Sequence, residues 1–363
     1  MKIKVGLMLG GGGAKGAFQL GVIKALEEAN LLKYIKVISG TSIGAINTLL
    51  LMSKKNHDKM SEIWEELENS NVFSTKAHIT KDDRLYSLDP LVQTLSQKIS
   101  VKAIKRSKYK GYATASKLYS KTSLMHQLKT NTMEKEVFAL KQFENPYEAV
   151  LASASIPVVF GPTKINDASY VDGGMLDNYP IEPLLEEKCN LILAVALDSK
   201  FNPFVYDHLD INIVDFTSRS AFETNIIKDL IESVGFVEEK KDEKEYLGYI
   251  VGQVMIQKLY KEGIIKKVLW FKKLNKYDHF KVIQLNQDEE EFIKHIKTAN
   301  RFKEIKRRKR RRGRNNDAIW NRYYTLYTKH KKWFFRFNYE FTYWNWWSIC
   351  FYRSRIYYLL VNW

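Results

Sequence analysis

Cysteine is scarce: Cys189 and Cys350 are the only two in 363 residues, and they stand far apart. That count provides no disulfide framework and fits a reducing compartment, with both thiols inert rather than catalytic. Histidine is also sparse, and the seven present form no cluster in the sequence, so no metal is expected. No signal-peptide pattern is present. After Met1-Lys2-Ile3-Lys4-Val5 the apolar stretch runs at once into Gly10–Gly13, without a longer apolar core or a cleavage site. The start therefore reads as the first strand of the fold, and a cytoplasmic protein, peripheral on a membrane at most, is expected. A hydrophobic content of 45% is that of a soluble globular chain, and the length allows one large or two ordinary domains.

Acidic residues are few at one end only. Residues 301–363 hold 17 Lys and Arg against 3 Asp and Glu, a net of +14 out of the formal +17. The first 300 residues are nearly balanced, so charge says little about what the body binds, and no nucleic acid is expected as its partner. The tail changes character at Lys306, where Lys306-Arg307-Arg308-Lys309-Arg310-Arg311-Arg312 begins, and it carries six of the eight tryptophans. It has no uncharged run near the roughly 18 residues of a spanning helix. Three readings stand open: a basic, aromatic membrane-surface segment, a nucleic-acid tail, or a reading-frame slip in an adenine-rich gene. The division expected is a catalytic region over 1–200, an α/β extension over 201–305 that completes or packs on it, and the tail over 306–363.

The body opens as strand, glycine loop and helix: Lys2–Leu9, Gly10–Gly13, then Ala17–Asn30 with helical spacing through Phe18, Val22, Ile23 and Leu26. A second strand, Ile35–Ser39, runs into Gly40-Thr41-Ser42-Ile43-Gly44 and the apolar helix Ala45–Met52. Two β-to-α passages in about fifty residues predict a parallel, helix-covered sheet. Further strands are predicted at Gly111–Ser116, Glu136–Leu140 and Leu191–Leu197, and a small-residue helix at Tyr147–Ser155. Beyond Asp210 we expect a long helical stretch over Ser218–Lys258, then a strand pair around Val268–Phe271 and Val282–Leu285. Residues 54–110 are polar and partly helical, and are a candidate lid.

Three short motifs carry chemistry. G-x-S-x-G around Ser42 lies between a predicted strand and helix, where flanking glycines permit a tight turn that pushes a serine hydroxyl outward. A plain turn with Ser42 capping the helix is the competing reading. Gly10–Gly16 lets backbone N–H groups converge on an anion, either phosphate or an oxyanion. A P-loop is excluded, because Ala14 and Gly16 flank Lys15 where Gly and Ser or Thr are needed. Gly11, Gly13 and Gly16 do meet the G-x-G-x-x-G dinucleotide pattern, but Val37-Ile38-Ser39 stands where its acidic residue belongs. Third, Asp172-Gly173-Gly174 places an unscreened carboxylate at a strand end, or is simply an Asp-Gly turn.

In combination these residues resemble the patatin-like phospholipase family. Its oxyanion motif stands as Gly11-Gly12-Gly13-Ala14-Lys15-Gly16 and its nucleophile motif as Gly40-Thr41-Ser42-Ile43-Gly44. The helix motif reads Ala152-Ser153-Ala154-Ser155-Ile156-Pro157-Val158-Val159-Phe160, and Asp172-Gly173-Gly174 is followed by Asn178 and Pro180. All occur in the family's order.

The resemblance implies a three-layer α/β fold, with a central, mostly parallel sheet and helices on both faces. It also implies a Ser42–Asp172 dyad, an oxyanion hole from Gly11, Gly12 and Gly13, and a lipid ester substrate met at a membrane surface. Gly40, Gly44, Gly173 and Gly174 shape the turns. Lys15 occupies the family's basic position, either touching phosphate or merely solvated in a first helical turn. No cofactor and no metal are implied. Two alternatives remain: a non-catalytic lipid- or nucleotide-binding scaffold, and a Ser–His–Asp triad. For the triad, Asp172 and His208 have the right order, but Ser42 comes early and Tyr206-Asp207-His208 reads as an exposed loop.

Overall fold

A computed structural model describes residues 3–53, 55–69, 89–119, 130–157, 159–222, 238–268, 271–274 and 282–311. The chain divides into two compact units, Met1–Asn300 and Arg301–Trp363, and the first holds every described strand. Its strands alternate apolar side chains between two faces, which obliges helices to cover both. In β1 (Val5–Leu9), Val5, Leu7 and Leu9 join the larger core and Met8 the smaller one on the opposite face. The same split recurs in β2 (Ile35–Thr41), with Ile35 and Ile38 on one side and Val37 on the other.

The sheet contains nine described strands. Along its main path β11 (Val282–Ile283), β8 (Asn212–Asp215), β7 (Leu191–Val195), β1 and β2 are all parallel, and β3 (Lys110–Leu118) continues that run. Beyond it the sheet turns antiparallel: β4 (Met133–Ala139) and β6 (Ala168–Asp172) both pair with β3, and β5 (Thr163–Ile165) pairs with β6. A strand has only two edges, and β4 fills one of them along 112–118. β2, at 110–114, and β6, at 115–118, therefore share the other edge and run toward each other along it.

Helices α1 (Ala17–Glu28), α2 (Ile43–Met52), α3 (His57–Asn69), α4 (Asp89–Lys98), α5 (Val101–Lys105) and α6 (Pro146–Ala154) contribute to the larger core. Helix α7 (Glu182–Glu186) covers the smaller core with Leu184. The long α8 (Glu238–Lys261) lies against α1, the broadest contact between any two described elements. Three glycines make it close. A Cβ on Gly21 would come within 1.9 Å of the Glu245 carbonyl oxygen, one on Gly248 within 1.9 Å of the Phe18 oxygen, and one on Gly252 within 2.5 Å of Ala25 Cβ.

Three expectations are corrected. The stretch 265–274 pairs with itself: β9 (Ile265–Val268) and β10 (Phe271–Leu274) form an antiparallel pair at hairpin spacing, while β11 joins the main sheet instead. Helix does not begin at Ser218. Glu290, near the start of α9 (Gln287–Arg311), accepts hydrogen bonds from the Ser218 hydroxyl and from the amides of Arg219 and Ser220, which holds a turn there. Residues 223–237 of that predicted helix lie outside the described residues. Finally, α3 and α4 of the candidate lid are structural, since Met60, Trp64, Leu91 and Leu95 are buried in the main core. Residues 70–88 of the lid, and the tail from 312 on, lie outside the described residues.

Candidate functional site

The converging strands place Thr41 opposite Thr114 and Asp172 opposite Ala115, so the residue after β2 and the last residue of β6 meet beside one point of β3. Ser42 sits in that gap as the N-cap of α2. Its φ of 55° and ψ of −124° are unfavourable for an L-residue, a strain of about 1–3 kcal/mol that neighbours must hold in place. Two glycines make the turn possible. A Cβ on Gly40 would lie 2.2 Å from the Gly44 carbonyl oxygen, and one on Gly44 would lie 2.0 Å from that of Leu9. The Ser42 side chain makes no capping bond to the helix, against the plain-cap reading.

Asp172 is buried at the end of β6. Its Oδ1 accepts the Gly174 amide at 2.7 Å, and its own N–H donates to Ser155 O at 2.8 Å. Oδ2 is buried and receives no hydrogen bond of ordinary geometry, although the Ser42 hydroxyl is near enough to stabilise the carboxylate. Burial outweighs that interaction and the Gly174 amide, and pushes the pKa up to about 6. Gly173 leaves room for the Thr114 carbonyl, 2.1 Å from where a Cβ would stand, and Gly174 sits against Asp172 and Asn178.

The glycine loop passes over Ser42. A Cβ on Gly11 would be 3.2 Å from Ser42 Cβ and 2.4 Å from Asn178 Oδ1. The loop's amides divide into two sets. Gly10 N–H donates to Val195 O at 3.0 Å and Gly11 N–H to Asn178 O at 3.3 Å, whereas the amides of Gly12 and Gly13 are in no backbone hydrogen bond among the described residues. Gly13 begins a short 3₁₀ turn, Gly13–Gly16, leading into α1. Lys15 in that turn is buried, which corrects the solvated reading, and its Nζ lies 5.8 Å from the centre of the Phe222 ring.

Beneath the loop lies a polar chain that the sequence patterns do not reveal. Trp64 Nε1 donates to Asn47 Oδ1 (2.9 Å), Asn47 Nδ2 donates to Gln19 Oε1 (2.8 Å) and to Gly16 O (3.2 Å), and Gln19 Nε2 donates to Gly10 O (2.8 Å). All three side chains are buried. Asn178 links the loop to a second unforeseen residue, Asp198. Asn178 Nδ2 donates to Asp198 Oδ2 at 3.1 Å, and the Tyr179 hydroxyl donates to Asp198 Oδ1 at 2.6 Å. The only sequence hint of Asn178 was its place downstream of Asp172.

The histidine alternative finds no support in the geometry. His208 is exposed, and the groups that act on the Asp172 carboxyl are Ser42 and Gly174. The buried His57 is engaged elsewhere, with Asp58 and Glu245. Among the described residues no group of three or more His, Cys, Asp or Glu could hold a metal ion, and no helix is long and apolar enough to cross a membrane. The arrangement offers a serine hydroxyl beside a buried carboxylate whose pKa is raised to about 6, with the glycine loop passing close to the serine. Such a constellation can take a proton from the hydroxyl and hold a developing oxyanion.

The Lysophospholipase NTE1 of Saccharomyces cerevisiae is 25% identical over 206 residues, 54% of this chain and 11% of that protein. The Probable lipid hydrolase 463L of Invertebrate iridescent virus 6 is 23% identical over 248 residues, 63% of this chain and 83% of the viral protein. Among solved structures, VipD from Legionella pneumophila matches at 14% identity with a TM-score of 0.39, covering 71% of this chain and 67% of that one. The chain spans only 3% to 18% of the length of the fungal lysophospholipases it matches. Residues 7–185 match the family described as Patatin-like phospholipase, an interval that holds Ser42, Asp172 and the whole glycine loop, and this part of the chain is a patatin-like phospholipase domain.

Proposed function

We propose that the protein is a serine lipid acyl hydrolase working through Ser42 and Asp172, with a phospholipid or lysophospholipid ester as substrate. The observation that carries this reading is the pairing of a strained, uncapped Ser42 with a buried Asp172 whose Oδ2 is open. Ser42 Oγ attacks the ester carbonyl carbon while its proton passes to Asp172. The carbonyl electrons move onto the oxygen, which the Gly12 and Gly13 amides stabilise, a contribution often worth about 3 kcal/mol per donor. The intermediate collapses, the alcohol leaves with the proton from Asp172, and an acyl-Ser42 ester remains. Water then attacks this ester, gives a proton to Asp172, and releases the fatty acid as Ser42 regains its hydrogen.

The lysophospholipid class follows the fungal relatives' names, and the viral relative's name points to lipid hydrolysis more broadly. The enzyme works as a cytoplasmic protein meeting its substrate at a lipid surface. The test is hydrolysis of a short-chain fluorogenic ester and of lysophosphatidylcholine by wild type, Ser42→Ala and Asp172→Asn. The expected outcome is turnover by wild type and background rates for both folded variants. An inert wild type, or an active Ser42→Ala, overturns the proposal and brings forward a binding scaffold.

A further inference from the structure

We infer that Ser153 is a positioning residue for the nucleophile, acting through the backbone of Ser42; the inference rests on the hydrolase reading above. Ser42 N–H donates to Ser153 Oγ at 2.9 Å, and the Ser153 hydroxyl donates its own hydrogen to Thr114 O at 2.6 Å. Both side chains are buried, so water does not readily replace either bond. With its hydrogen committed to β3, the Ser153 oxygen presents lone pairs to Ser42. The direction of the relay is fixed, and the hydroxyl ties the strained turn to the strand beside it.

Two residues on, the Ser155 carbonyl accepts the Asp172 amide at 2.8 Å. The end of α6 thus holds both sides of the proposed dyad, Ser42 through a side chain and Asp172 through the main chain. Thr114 serves both as well: its carbonyl takes the Ser153 hydrogen, and it occupies the space that a Cβ on Gly173 would fill. Only the Ser153 hydroxyl can be deleted by substitution. Alanine there leaves the Ser42 amide buried without its acceptor and lets the turn relax toward ordinary φ and ψ, which swings the Ser42 hydroxyl away from Asp172.

The experiment compares wild type, Ser153→Ala and Ser153→Thr by three readouts. These are the pre-steady-state acylation rate with p-nitrophenyl butyrate, KM for that ester, and hydrogen exchange of the peptide containing Ser42. Acylation by Ser153→Ala should slow by about 10- to 100-fold with KM within about twofold, exchange at Ser42 should quicken, and Ser153→Thr should recover most of the rate. If Ser153→Ala does not fold, Ser153→Cys, with its weak sulfur acceptor, carries the same comparison. A folded Ser153→Ala that acylates at the wild-type rate overturns the inference, as does unchanged exchange at Ser42. Failure of the hydrolase reading is separable: wild type would then show no acylation, while the exchange comparison still reports on the Ser153–Ser42 bond.

Discussion

Ser42 and Asp172 stand at the ends of two strands that run toward each other along one edge of β3. Thr41 faces Thr114 and Asp172 faces Ala115, so the distance between the two side chains is set by consecutive residues of a single strand. A central strand buried in a sheet is among the most rigid supports a fold can offer. The strand ends bring hydroxyl and carboxylate together, and the Ser153 hydroxyl holds the turn that carries the Ser42 side chain.

The pH dependence of hydrolysis follows from Asp172. As the proton acceptor it must be ionised, and burial places its pKa at about 6. The value of kcat/KM should therefore rise through about pH 6 and level off above pH 7, as measured on a soluble ester between pH 4.5 and 8.5. A limb centred below pH 5 would mean that Asp172 is not the base.

The same shift carries a stability penalty. A carboxyl with a folded pKa near 6 and an unfolded value of 3.8 holds its proton longer in the native state, so folding loses stability as pH rises from about 4 to 6. Asp172→Asn escapes this penalty. Urea unfolding should find it more stable than wild type at pH 7.5, by up to about 3 kcal/mol, with the difference shrinking toward pH 4.

His57 behaves in the opposite sense. Burial opposes its protonation, but hydrogen bonds to Glu245 (2.7 Å) and Asp58 (3.0 Å) together raise its pKa above 6.5. The stability this link gives between α3 and α8 is present below pH 6.5 and lost as pH climbs through the raised value. The facing charges are Glu245 and Asp58, with Lys24 opposing. His57→Ala should lower the melting temperature more at pH 5.5 than at pH 9, and an equal drop at both would exclude an ionised His57.

Asn47 is the hub of the buried chain beneath the glycine loop. Asn47→Ala removes the buried hydrogen bonds to Trp64 Nε1 and Gln19 Oε1, each loss at such a site costing about 1–3 kcal/mol. We expect a loss of about 2–5 kcal/mol in chemical denaturation and slower acylation, because Gln19 also holds the Gly10 carbonyl. Asn47→Ala with wild-type stability would show that the chain is not cooperative.

Much of the site was legible because its parts are local. The turn around Ser42 needs Gly40 and Gly44 within a few residues, and Asp172-Gly173-Gly174 is a single corner, so each leaves a short pattern in the chain. The sheet's parallel half was readable for the same reason, since each β-to-α passage carries its own periodicity. What escaped depends on pairs distant in sequence. The Ser153 hydroxyl meets Ser42 across 111 residues, and Asn178 meets Asp198 through the packing of separate loops. The 282–285 stretch looked like a partner for 268–271, but a two-residue gap favours a local hairpin over a distant one. The surroundings of Lys15 stayed open in the sequence, since the Phe222 ring beside its buried side chain lies some two hundred residues away.

The glycine-lined seam between α1 and α8 binds the C-terminal half of the chain to the helix that follows the glycine loop. A helix that leaves its partner's main chain no room for even one methyl group cannot be replaced by solvent or by a chance surface. A fragment ending near residue 200 would retain Ser42, Asp172 and the glycine loop, yet bare Phe18, Gly21 and Ala25 along the flank of α1. Such a fragment should be recovered as aggregate, and co-expression of a separate 201–311 peptide should return it to solution.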